Sequence, residues 1–515
     1  MRRTLGAAGL SVLSAVLLIV IWPSFGNLWW LTFVALVPMY VAQYRLVPRR
    51  WSGVPVAVAF GGYNFALFLQ GTSVLSMGPI LALTAGAALI GLLIGIFQRP
   101  FAERTGYRWF VLQLPLIWVS IDLLIQNNEI LGTYSWIAYR LAEAPHLVQP
   151  VSITGTPALS LLIHVINATA ALVVIALIDR RFPGLADVPV PARVLRWSVA
   201  IPVAATAIWV IASLVIFRDV SNRMGPQVRV AAVQPGLDNA IPGTLISAKP
   251  MPGRTEDQRN TDQIAQLSAM TRDAASQGAK VVVWPEEVLN YDPRVTRTDW
   301  IPALVRETGV YLAMGFTPNG DDPTAPNTSL LWSPQGEVKA VYYKVERVIV
   351  EGEAFTPGTV FPSVETSQGV LGMIICFDID FPDGPARRVT QSGAQMILAP
   401  SIDFRSIADL RSASTAFRAV ENRVAMVKAD VAWDSVIAAP NGEVITSTAM
   451  QTERGDKALL VADVPLGPRG APFTRFGGAP FQWLVYAATV VMLGAMVGSK
   501  RARRETPVGS AAVDR

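Results

Sequence analysis

The run Gly372-Met373-Ile374-Ile375-Cys376-Phe377-Asp378-Ile379-Asp380-Phe381-Pro382 carries the only cysteine among 515 residues. A lone thiol cannot close an internal disulfide, so its position needs another explanation. It ends a short apolar run that reads as a buried strand, just before the breaker Pro382. A nucleophile is often held at such a strand tip, where backbone amides can face an oxyanion. Taken alone, the thiol is as readily an inert core residue.

Two further strand ends change that balance. Ala279-Lys280-Val281-Val282-Val283 runs into Trp284-Pro285-Glu286, and the hairpin over Ser329 to Tyr343 ends at Tyr343-Lys344. A carboxylate, an ammonium and a thiol then stand at three strand ends. Acyl transfer by a cysteine needs those three roles, because an ordinary thiol is only a few per cent thiolate near neutral pH. Glu286 can take the thiol proton and return it later, and Lys344 can stabilise an oxyanion together with a backbone amide after Cys376. Singly, each is weak: a carboxylate after a strand is usually a solvated loop residue.

Around these motifs, residues 226 to 468 alternate strands with helices. Gln227 to Gln234 opens the segment as a strand, and a Pro/Gly-rich loop runs to about 254. A polar helix extends to Gln277, and Val310 to Phe316 repeats the strand pattern. Beyond Cys376 the pattern predicts helices near 383–392 and 407–422, and strands at 395–399, 424–432, 435–438 and 458–464. Such alternation argues for a layered α/β domain.

The flanking sequence is of another kind. Hydrophobic residues make up 51% of the chain, and they concentrate before residue 217 and again near 481–498. Crossing about 30 Å of hydrocarbon takes about 20 helical residues. The pattern predicts spans at 5–22, 28–44, 54–70, 79–97, 110–126, 156–178 and 197–217, with an eighth at 481–498. No small-residue cleavage site clearly follows the first, so it reads as retained. The chain thus divides into a seven-span domain at 1–219, a catalytic domain at 226–468, and an eighth span with a basic tail at 478–515.

Charge sets the expected orientation. One side of the bundle carries sixteen basic residues: Arg2, Arg3, Arg45, Arg49, Arg50, Arg99, Arg104, Arg108, Arg180, Arg181, Arg193, Arg196, Lys500, Arg501, Arg503 and Arg504. The short loops of the other side carry only Arg140. The positive-inside rule then puts both termini in the cytoplasm and the 226–468 segment outside. The net charge of +5 needs no nucleic-acid partner, since these residues account for it. His146 and His164 are the only histidines, and no metal-ligand spacing surrounds them, so they read as packed or interfacial side chains. Asp122 either lines a cavity or sits at the outer interface near Gln126, Asn127 and Asn128. Trp29 and Trp30 read as an interfacial anchor.

Together, Glu286, Lys344 and Cys376 resemble the Glu-Lys-Cys triad of the nitrilase (carbon–nitrogen hydrolase) superfamily, in order and in interval. Gly352-Glu353-Ala354-Phe355-Thr356-Pro357-Gly358 resembles the segment bearing that family's second glutamate, and Arg418-Ala419-Val420-Glu421-Asn422-Arg423 its following helix. The resemblance implies an αββα sandwich with no metal or organic cofactor. Glu353 would support the lysine and glutamate, with Glu351 competing for that role because the spacing is stretched by one residue.

A nitrilase-like domain between seven spans and an eighth is similar to the apolipoprotein N-acyltransferase family, which sits in the bacterial inner membrane. The similarity extends through Pro115-Leu116-Ile117-Trp118, Gly132-Thr133-Tyr134-Ser135-Trp136 and Gly155-Thr156-Pro157-Ala158-Leu159-Ser160. It implies transfer of a fatty acyl chain from a phospholipid to Cys376, then to the N-terminal amine of a diacylated lipoprotein. Two other readings stand beside it: a membrane-tethered amidase with the same triad, and a catalytically silent scaffold. Seven spans favour the transferase, since a tether needs one, and a complete triad argues against the scaffold.

Overall fold

The computed structural model describes residues 2–72, 76–126, 128, 132–237, 256–318, 322–349, 352–453 and 455–505. Among the described residues six helices are long and apolar enough to cross a membrane: Arg3–Val20, Arg49–Leu69, Met77–Arg104, Thr156–Arg181, Ala192–Asn222 and Ala479–Lys500. With the shorter apolar helix Phe110–Ile125 they form the multi-pass part of the protein. We label its helices α1 (Arg2–Val20), α2 (Gly53–Leu69), α3 (Met77–Arg104), α4 (Phe110–Ile125), α5 (Thr156–Arg181) and α6 (Ala192–Asn222). Gly61 and Gly62, which interrupt the apolar run in the sequence, are close-packing points. A Cβ on Gly62 would stand 2.6 Å from the Ala15 Cβ of α1.

The span expected at 28–44 is not one helix. The chain forms a tight turn at Trp29–Phe33, a short helix at Val37–Val41 and a wide turn at Ala42–Leu46. Pro38 begins the second piece, and its missing N–H prevents the first from running through. Such irregular backbone survives at membrane depth only when protein satisfies its polar groups. Here Leu36 N–H donates to Asn167 Oδ1 at 2.9 Å and Met39 N–H to Ser14 Oγ at 2.8 Å. Its later part, with Met39, Tyr40, Ala42 and Tyr44 buried, is wedged between α1 and α5.

The α/β domain holds two six-stranded sheets. The first runs β12-β1-β2-β3-β4-β5 and the second β11-β10-β9-β8-β7-β6. Their strands are β1 (Gln227–Gln234), β2 (Val281–Val283), β3 (Tyr311–Phe316), β4 (Thr328–Trp332), β5 (Val338–Tyr343), β6 (Ser363–Thr366), β7 (Gly369–Met373), β8 (Met396–Ser401), β9 (Ala425–Asp430), β10 (Val436–Ala438), β11 (Val444–Ser447) and β12 (Ala458–Pro465). β1, β2 and β3 are parallel, as are β7, β8 and β9. The period of two decides the layers. Val228, Val230 and Ala232 face the second sheet, while Ala231 and Val233 face helices α7 (Glu256–Ser276) and α8 (Trp300–Thr308). Helices α9 (Pro385–Gln391) and α10 (Ala408–Asn422) cover the other side. The sequence pattern did not show β6, β11 or α8, which are short.

α10 joins the two domains. Ala419 packs toward the sheets, whereas Leu410, Ala413, Phe417 and Val420 belong to the same apolar core as Trp22, Tyr63, Trp136 and Tyr139 of the helical domain. A helix with apolar residues on two faces needs cover on both. The final helix, α11 (Ala479–Glu505), returns to pack on α4.

Candidate active site

Three strand ends bring the site together. Glu286 follows β2, Lys344 follows β5 on the same edge of the first sheet, and Cys376 follows β7 of the facing sheet. Cys376 has φ +45, a left-handed conformation rare for a side chain with a Cβ. The strained turn is clamped by Asp378. Its Oδ2 accepts from Ile375 N–H at 2.9 Å and Tyr342 O–H at 2.7 Å, and its Oδ1 accepts from Glu346 N–H at 2.9 Å. Burial, only partly offset by these donors, pushes the Asp378 carboxyl up to about 6.

Lys344 Nζ donates to Glu286 Oε1 at 2.9 Å and to Glu353 Oε1 at 2.6 Å, with all three side chains largely buried. Glu353 Oε2 accepts from Val348 N–H, so the carboxylate that holds the lysine is itself held by the main chain. Glu351 lies outside the described residues. Burial alone would lower the Lys344 ammonium, but Glu286 and Glu353 outweigh it and hold it well above the ordinary lysine value. Glu286 Oε2 accepts from Ile402 N–H at 3.0 Å, and the carbonyl of that residue receives the Cys376 thiol at 3.2 Å. Carboxylate and thiol thus bind the two main-chain groups of one residue, Ile402. Burial first, and the Glu286 charge second, push the thiol well above its usual value. The resting sulfur is therefore protonated, and its attack must be coupled to proton removal.

Several neighbours were not legible as site residues. Asn327 Nδ2 donates to Glu286 Oε1 at 2.7 Å and lies 3.4 Å from Glu287 Oε1. Glu287, also bonded by Thr317 Oγ1 at 2.8 Å, is pushed up to about 7 by burial and by Glu286 beside it. On the other side of the sulfur, Asp403 Oδ1 stands 3.9 Å from Sγ. Asp403 is flanked by Lys428 at 2.5 Å and Arg411 at 3.3 Å, and Arg411 also pairs with Asp380 at 3.3 Å. No spacing rule links residues 403, 411 and 428; only the adjacency of β8, β9 and α10 brings them together.

The helical domain reaches this cluster directly. Tyr134 O–H accepts from Arg411 Nη2 at 2.7 Å, and Thr133 Oγ1 donates to the Asp380 carbonyl at 2.8 Å. Thr156, the first residue of α5, gives both its N–H and its hydroxyl to Glu421 Oε1, at 3.1 and 2.6 Å. Asp122 is buried at the end of α4, accepting from Ser135 Oγ at 2.9 Å, so it ties that helix to the 132–143 turn. His164 is buried with its ring 4.6 Å from that of Trp118, and His146 stands beside Phe217. Trp30 is exposed and Trp29 half-buried.

The carbon-nitrogen hydrolase family model matches residues 229–471, and the apolipoprotein N-acyltransferase N-terminal domain model matches residues 14–169. The chain therefore joins a carbon–nitrogen hydrolase domain to an apolar, multi-pass helical domain. An apolipoprotein N-acyltransferase from Geobacter metallireducens is 26% identical over 530 residues, covering 94% of each chain. Across both domains the chain is a homologue of the apolipoprotein N-acyltransferases. Human omega-amidase is 25% identical over 240 residues, which is 40% of this chain and 84% of that one. An amidase from Nesterenkonia sp. superposes with a TM-score of 0.39 at 21% identity, over 50% of this chain and 95% of its own.

Proposed function

We propose that this protein takes a fatty acyl chain from a phospholipid onto Cys376 and passes it to the N-terminal amine of a diacylated lipoprotein. Glu286 removes the thiol proton as Sγ attacks the ester carbonyl, and Lys344 stabilises the developing oxyanion. The carbon–oxygen bond breaks, and the departing lysophospholipid takes the proton from Glu286. In the second half the amine attacks the thioester, the carbon–sulfur bond breaks, and Glu286 conveys the amine proton to the sulfur. Glu353 holds Lys344 between two carboxylates throughout.

The observation that carries this reading is the helical domain's contact with the cysteine surroundings, through Tyr134 on Arg411. A site that uses water alone needs no apolar wall, whereas a thioester awaiting an amine must be kept from water. The charge asymmetry supports a bacterial inner-membrane protein with both termini cytoplasmic and the catalytic domain outside. Membranes containing the protein, incubated with diacylated lipoprotein, should raise its intact mass by one acyl chain. Without acceptor, a hydroxylamine-sensitive acyl group should accumulate on the enzyme, and Cys376→Ala should abolish it. Hydrolysis of small soluble amides with no acyl-enzyme from phospholipid would instead make it an amidase.

A further inference from the structure

Arg140 lies in the turn Ile137–Glu143 and is 2% exposed. Its guanidinium carbon stands 3.5 Å from the centroid of the Trp22 ring. None of Nε, Nη1 and Nη2 makes a well-aligned hydrogen bond, the neutral Tyr63 phenol being the oxygen that bears most on them, and the Trp22 indole N–H beside it has no acceptor either. Four other buried arginines each have a carboxylate partner: Arg45 pairs with Asp179, Arg99 with Glu103, Arg411 with Asp380 and Arg418 with Glu421. Among the described residues no carboxylate forms an ion pair with Arg140; Asp409 acts on it from farther away. A cation–π contact covers one face of the guanidinium and the Tyr63 phenol serves one edge, which leaves most of its five N–H donors without an acceptor and its charge without a counter-charge. An uncompensated buried cation is costly, so a ligand that completes it is strongly favoured.

The unfilled groups are all donors and one is a fixed positive fork. They fit an acceptor-only anion with several oxygens, and a phosphate matches that fork in two-point geometry. The location suits a lipid. The neighbouring Tyr139 bonds Thr133 and Arg418 at the junction of the two domains, and Ser24, just past α1, reaches Asp409 of α10. The same 132–143 turn carries Tyr134, which touches the Arg411 that flanks Asp403 and Cys376. A phosphate held at Arg140 therefore belongs to a molecule that also approaches the sulfur.

Given the acyltransferase reading above, on which this step rests, we infer that Arg140 and the Trp22 indole N–H form the binding site for the phosphate of the phospholipid donor. The test uses the full-length protein in mixed micelles, following acylation of Cys376 from phosphatidylglycerol and from p-nitrophenyl hexadecanoate, an activated ester without phosphate. Arg140→Gln should lower the preference for phosphatidylglycerol over the ester by about tenfold or more, mainly through KM. Arg140→Lys should restore part of it, since the charge returns without the fork. Trp22→Phe keeps the ring over the guanidinium and removes the N–H, and should raise KM for phosphatidylglycerol about threefold. An unchanged preference in Arg140→Gln overturns the inference, as does an equal loss with both donors that Arg140→Lys fails to relieve. Wild-type protein that accepts the ester and no phospholipid overturns the acyltransferase reading itself, and the phosphate site falls with it.

Discussion

Glu286 accepts two donors at one oxygen, Lys344 and Asn327, and one at the other, Ile402 N–H. That arrangement holds the carboxylate in one rotamer facing the sulfur's peptide partner. Asn327→Ala removes a charge-assisted bond worth about 1.5–3 kcal/mol. Acyl-enzyme formation should then slow by about ten- to a hundredfold, measured as the single-turnover rate of hydroxylamine-sensitive labelling. A rate unaffected by the change would remove Asn327 from the positioning of the base. Glu287 makes a pH prediction. Its folded value near 7 stands above the ordinary 4.5, so the folded protein keeps a proton there that the unfolded chain has released. That stabilising contribution is whole below 4.5 and is lost as pH rises through 7. Glu287→Gln cannot ionise, so wild type should lose melting temperature relative to it between about pH 5 and pH 8. Parallel curves across that range would show that Glu287 titrates normally.

At the scale of elements, the site depends on how closely strands approach one another. Gly315 of β3 lies against Glu286, and a Cβ there would stand 2.7 Å from the Glu286 Cα. Gly315→Ala should push the base away from the sulfur and reduce acylation more than it reduces stability, as read by paired labelling and melting measurements. The start of α5 depends on the other domain, because Glu421 of α10 fills the role of an N-terminal cap for Thr156 while pairing with Arg418 at 2.9 Å. Glu421→Ala removes the cap and leaves Arg418 buried without its carboxylate, a loss of about 3–5 kcal/mol. The expected result is a lowered unfolding midpoint together with loss of transfer from phospholipid. A stability within about 0.5 kcal/mol of wild type would show that the Glu421 cap does not hold the two domains together.

At the scale of the whole molecule, the orientation is open to a direct test. Gln335, on the exposed β4–β5 turn, and Arg50, at the opposite end of the bundle's sequence pattern, are both exposed. With buried Cys376 the only native thiol, Gln335→Cys should react with an impermeant maleimide in spheroplasts, and Arg50→Cys only after permeabilisation. Reaction of both from the same side would overturn the odd number of crossings between residues 50 and 226, which α2 to α6 supply. The 16-to-1 distribution of charge behind this expectation is a property of the sequence, because lipid and water sort side chains without reference to the fold. The apolar spans, the strand–helix alternation of 226–468, and Glu286, Lys344 and Cys376 at strand ends were readable for a similar reason: each depends on local period or local composition. The broken segment at 28–44 was not, since its hydropathy equals that of a span and only Asn167 and Ser14, distant in sequence, make its irregular backbone tolerable. Nor were Asn327, Asp403, Arg411 and Lys428 legible around the sulfur, or Arg140 over Trp22 with no carboxylate partner. Their chemistry arises from which side chains meet across layers, and the burial that gives those meetings their energy exists only once the two sheets, α10 and the helical domain have packed together.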